Sequence, residues 1–182
     1  KPNDNVPYGG GNISVFYIVR EFTNKFSDFD VTYSLEKDID IYLLIDVNND
    51  RKFKKFGIEH IVEHRNNVNK SAKIIARIND CDITRVVTNV SSREMKIKKY
   101  HMEIDSFIYN SNFIKNYYFE KFKDLSFDKK SHCVIINGCD QKLFSLKEKN
   151  LNDKVKIVTH HWSPNLNKGY ETYLKLWKHC NT

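Results

Sequence analysis

Four short stretches hold the residue types that could do chemistry. Tyr8 to Asn12 reads Y-G-G-G-N just ahead of a helical pattern. Three glycines there remove the side chains that would block a close approach, and a helix mouth favours negative charge. Gly9, Gly10, Gly11 and Asn12 could therefore cradle a phosphate or a sugar hydroxyl, although a flexible turn before a helix explains the stretch equally well. Ala76 to Asp82 reads A-R-I-N-D-C-D and sets Arg77, Asn79, Asp80 and Asp82 at the end of an apolar run. In an α/β fold that is where a ligand sits. The structural alternative is that Asp80 or Asp82 caps the next segment while Arg77 pairs with an acid. Ile136 to Asp140, I-N-G-C-D, carries the Asn-Gly signature of a sharp turn, which is all that stretch requires. His160 to Gly169, H-H-W-S-P-N-L-N-K-G, puts Lys168 at a helix start, where it could meet a phosphate together with helix amides. His160 and His161 occupy adjacent strand positions and point to opposite faces, so they do not share a metal.

Other chemistries lack their signatures. There is no G-x-S-x-G, no phosphate-loop lysine motif and no H-E-x-x-H. The four cysteines, Cys81, Cys133, Cys139 and Cys180, form no C-x-x-C pair, and the seven histidines are scattered. Reduced thiols in a cytoplasmic protein and no bound metal are the expectation. The net charge of +7 suits phosphorylated ligands, nucleic acid or a peripheral contact with an anionic membrane. The lysines, however, are dispersed among acids, as in K-D-I-D and L-K-E-K-N, which is the pattern of a solvated surface. No arginine-rich run interleaved with aromatics supports a nucleic-acid reader. No apolar run nears the roughly 20 residues of a membrane span, and the polar K-P-N-D-N-V-P-Y-G-G-G is not a secretory leader.

The elements that must position these groups follow from periodicity. Val15, Phe16, Val19, Phe22 and Phe26 predict one face of a helix over 12–26, with Asn12 as its N-cap. Ile39 to Asp46, Ala72 to Ile78, Asp105 to Ser111, His132 to Gly138 and Val155 to His160 read as strands. Helices are expected over 58–67, from the Ser91–Glu94 capping box to His101, over 112–123, and over 166–179. The stripe of Tyr170, Tyr173, Leu174 and Trp177 in the last is read as packing. Alternating strands and helices predict an α/β fold, a Rossmann-like open parallel sheet with helices on both faces and ligands at the carboxyl ends of its strands. The polar stretch Gln141 to Lys154 is read as a connector between a first domain, 1–140, and the start of a second, 155–182. A glycine loop of this kind normally follows a strand, and none precedes Asn12. The chain is therefore expected to be clipped at both ends.

In this order, Y-G-G-G-N, A-R-I-N-D, V-I-I-N-G-C-D (Val134 to Asp140) and V-T-H-H-W-S-P-N-L-N-K-G (Val158 to Gly169) resemble the motifs of the family-4 retaining glycosyltransferases of the GT-B fold. D-S-F-I-Y-N-S-N-F is similar to the family's strand-then-serine segment. The resemblance implies an N-terminal Rossmann-like domain that receives the acceptor and a C-terminal one that holds a nucleotide-sugar donor. By position it gives Arg77, Asn79 and Asp80 the acceptor side as catalytic candidates. It gives Gly9, Gly10, Gly11, Asn12, Ser163 and Lys168 to the donor, with Lys168 steadying the leaving diphosphate. The nucleotide sugar is a co-substrate; no metal and no cofactor are implied. Partners would be the nucleotide sugar and a glycan, lipid or protein acceptor. Ser163 stands where the family often has arginine, Ala76 where it has histidine, and the paired donor-domain glutamates are absent. Residues 1–182 alone are thus expected to bind donor weakly and to turn over poorly. The alternative is a non-catalytic basic α/β module that binds anionic polymers such as nucleic acid.

Overall fold

A computed structural model describes residues 10–48, 56–85, 92–138 and 169–180. The chain divides into two compact units, Lys1–Cys81 with Asn89–Asn137, and Asp82–Thr88 with Gly138–Thr182. The first unit is built on four strands: β1 (Ile41–Leu44), β2 (Lys73–Ile78), β3 (Ser106–Tyr109) and β4 (Ser131–Val134). All pair in parallel and lie in sequence order, with Tyr42 opposite Ile74, Ala76 opposite Phe107, and Phe107 opposite His132. The sheet is therefore α/β, open and Rossmann-like, as its alternating pattern predicts.

Three helices connect these strands: α2 (Ile58–Val68), α3 (Ser92–Tyr100) and α4 (Asn112–Lys121). Their buried residues, Ile58, Ile61 and Val62, then Ile97, then Ile114 and Tyr118, join one core with Tyr42, Leu44, Ile74, Ala76, Phe107 and Tyr109. Those strand residues alternate along the pleat and share one face of the sheet. An order that rises steadily from β1 to β4 with right-handed crossovers requires this, because every connection returns on the same side. α2, α3 and α4 all lie on this face. On the opposite face Ile41 and Leu43 remain 50% and 42% exposed.

Local chemistry sets the element ends. Ile58, Ile61 and Val62 sit at helical spacing on the buried side of α2, and beyond it the Asn69 side-chain amide donates to the Ile39 carbonyl at 2.9 Å. Ser111 caps α4 by accepting from the Ile114 amide at 3.3 Å. After α4 two short 3₁₀ turns, Lys123–Leu125 and Phe127–Lys129, are joined by Ser126 at φ 52°. They bring Phe127 onto the sheet, its ring 4.7 Å from that of Phe107. Burying each such ring contributes roughly 1.5–3 kcal/mol. His132 completes this cluster, stacked on Phe107 at 5.3 Å. Its Nε2–H donates to the Phe127 carbonyl at 2.6 Å, so Nδ1 accepts the Tyr109 hydroxyl at 3.0 Å. That pairing is complete only in the neutral tautomer.

α1 spans Gly10–Lys25 and α5 spans Tyr170–Cys180. α1 begins two residues earlier than its apolar spacing suggests, so Gly10 and Gly11 form its first turn and Asn12 lies within it instead of capping it. The predicted connector, the strand over 155–160 and Ser91 lie outside the described residues.

Candidate functional site at the carboxyl ends of the strands

Because all four strands run the same way, their carboxyl ends meet along one edge. Ile45 and Asp46 follow β1, Asn79 and Asp80 follow β2, Asn110 follows β3, and Ile135 to Asn137 follow β4. Asn79 ties the first three together. Its side-chain amide donates to the Ile45 carbonyl at 3.3 Å, and its own carbonyl accepts the Asn110 side-chain amide at 2.7 Å. The side-chain oxygens of Asn79 and Asn110 are buried without a hydrogen-bond partner. Both can accept a further donor.

Asp80 is engaged by Arg93, near the start of α3. Arg93 Nη1 reaches Asp80 Oδ1 at 2.7 Å, while Nη2 and Nε grip Asp46 at 2.9 and 3.2 Å. Burial lowers the Arg93 pKa, but hydrogen bonding and charge from Asp46, then Asp80, outweigh it and hold it above the usual arginine value. The backbone carbonyl of Asp80 also accepts the Tyr118 hydroxyl at 3.3 Å. To a ligand Asp80 therefore offers a fixed carboxylate already compensated by a guanidinium. Sequence reasoning misses Asp46 and Asn110 at this edge, and with them Arg93. Its two acid partners lie 13 and 47 residues away, and nothing about S-R-E marks them.

Arg77 lies on the face of β2 opposite Ala76 and Ile78. Its Nη2 donates to Asn137 Oδ1 at 2.5 Å. Asn137 and Gly138 form an irregular segment, and positive φ among the described glycines is confined to Gly169. Asn137 thus acts through its side chain as well as through any turn it enters. Gly169, just before α5, takes φ +84°.

The structure brings Arg77, Asn79 and Asp80 to one strand end and joins Arg77 to Asn137. Gly10, Gly11 and Asn12 lie in the first turn of α1, where amide N–H groups have no partner within the helix. Gly9, Ser163 and Lys168 lie outside the described residues. Among the described residues no group of three or more His, Cys, Asp or Glu is placed to hold a metal, and no helix is long and apolar enough to cross a membrane.

Fold and edge together define a Rossmann-like α/β unit with a polar strand-end site. No family model, no curated protein and no solved structure matches the chain.

Proposed function

We propose that the chain is the acceptor-side part of a retaining, GT-B-type glycosyltransferase, which moves a sugar from a nucleotide-sugar donor to a glycan, lipid or protein acceptor. The observation that carries this reading is the Arg77–Asn137 hydrogen bond, which spans 60 residues of sequence. It joins two of the four segments on which the resemblance rests, and it does so at the strand-end edge where ligands sit in such sheets. On this reading Arg77, Asn79 and Asp80 orient the acceptor with hydrogen bonds and fixed charge. Lys168 supplies positive charge as the diphosphate leaves, a role that needs no metal. The glycines at the start of α1 let donor or acceptor approach the backbone closely.

The test is a titration of isotopically labelled chain with a panel of nucleotide sugars and oligosaccharides. Saturable shifts centred on Gly9 to Asn12 and Arg77 to Asp80 support the proposal. If no sugar moves those resonances while nucleic acid binds with an affinity that falls steeply with salt, the anionic-polymer reading replaces it.

A further inference from the structure

The buried side chains among the described residues that are charged at neutral pH are Arg77, Asp82 and Glu94. Glu94 accepts the Tyr117 hydroxyl at 3.0 Å and pairs with Lys121. The nearby Arg93, 11% exposed at its side chain, holds two aspartates. Arg77 differs. It is 7% exposed, yet its partner among the described residues is the neutral amide oxygen of Asn137, and no described carboxylate reaches it.

Its setting makes that costly. Arg77 is flanked by Ile75 on its own strand and by Ile108 opposite it on β3, both half-buried, on a face that also carries Lys73 and Ser106. A guanidinium cannot shed its proton to escape such surroundings, and leaving a buried charge uncompensated is strongly unfavourable. Burial pulls the Arg77 pKa downward, as expected of a cation short of counter-charge. Asn137 fixes one edge of the planar group, and the remaining N–H donors form a fork that matches two oxygens of a phosphate or carboxylate.

We propose that Arg77, steadied by Asn137, is the seat of an oxyanion carried by a ligand at the carboxyl end of β2. Asn137 is the positioning residue and Arg77 the binding one. This seat does not depend on sugar transfer; if the glycosyltransferase reading also holds, the molecule received at this edge carries a phosphate or carboxylate.

The experiment follows the Arg77 Nε–H and Asn137 side-chain amide resonances of the labelled chain at constant ionic strength. Inorganic phosphate, acetate and chloride are added in separate titrations. The expected result is a saturable shift with phosphate or acetate and none with chloride; which oxyanion responds assigns the group. Arg77→Gln should weaken binding about tenfold or more, the loss of a charge-assisted hydrogen bond. Arg77→Lys should be intermediate, because charge remains without the fork. The Lys98→Ala/Lys99→Ala double variant, which removes exposed charge elsewhere, should bind like the parent. The proposal is overturned if no oxyanion moves the parent resonances, or if the double lysine variant weakens binding as much as Arg77→Gln. Should Arg77→Gln fail to fold, the parent resonances and Arg77→Lys decide. Nucleotide sugars are absent throughout, so a failure here is distinct from a failure of the glycosyltransferase reading.

Discussion

Arg93→Met should test whether one guanidinium pins the ends of β1 and β2. The Arg93 side chain is 11% exposed, Asp46 15% and Asp80 27%, so water screens this cluster only in part. Removing one member of a buried ion cluster typically costs ~3–5 kcal/mol, mainly because the charges left behind lose their compensation. Asp80 is the most open of the three, which places the expected loss near ~3 kcal/mol. With a slope of ~2 kcal/mol per molar urea, the unfolding midpoint should fall by about 1.5 M, and Tm by roughly 6–12 °C. The slope itself should not change, since the same surface is exposed on unfolding. Asp46 takes two of the three hydrogen bonds, so Asp46→Asn should cost more than Asp80→Asn. Adding both Asn substitutions to Arg93→Met should recover part of the loss, because the stranded charges are then gone. A loss for Arg93→Met below ~0.5 kcal/mol, the range of an ordinary surface change, would refute the reasoning; so would a triple variant no more stable than the single one.

Three further outcomes follow from the packing. Burial holds the His132 pKa below its ordinary value, against the pull of its bond to the Phe127 carbonyl, so unfolded chains take up the proton first as pH falls. The contribution of His132 should be complete above about pH 6.5 and be lost below it; His132→Phe should flatten the decline between pH 7 and 5 in urea titrations, and an unchanged slope would contradict the assignment. Phe107→Ala removes a fully buried ring and should cost ~3–5 kcal/mol with loss of near-ultraviolet dichroism; a cost under ~2 kcal/mol would mean the core collapses into the space. Gly169→Ala forces a side chain onto φ +84° and should cost ~1 kcal/mol, read as faster amide exchange across Tyr170–Cys180; unaltered exchange would show that the turn accommodates alanine.

Element types were legible from periodicity, while side-chain partnerships were not. A72-KIIARI reads as a strand over 72–78, and β2 is Lys73–Ile78. The run from Ile39 to Asp46 suggests burial on both faces, yet only Tyr42 and Leu44 of β1 are buried. Apolar residues on both sides of a strand do not say which side is covered, and here the steady strand order decides. The start of α1 escapes the apolar spacing because Gly10 and Gly11, with no side chains, add nothing to the stripe that begins at Val15. At the site, the massing of Arg77, Asn79 and Asp80 was visible as composition. Its resolution was not: Asp80 is taken by Arg93, Asn79 ties three strand ends, and Arg77 finds an asparagine in place of the acid that the structural alternative gives it. Each depends on residues brought near by the sheet and not by the sequence.

The steady order of the strands also bears on how the chain is made. Each strand pairs with the next, which arrives roughly thirty residues later, one strand–helix–strand repeat. No strand must wait for a distant partner to be inserted beside it. During synthesis, which proceeds from the N-terminus, β2 can dock on β1 once β2 itself has cleared the ribosome, then β3 on β2, and β4 on β3. The sheet can grow at a single advancing edge, and because Arg93 precedes β3 in the chain, its clasp over the ends of β1 and β2 requires no later residue.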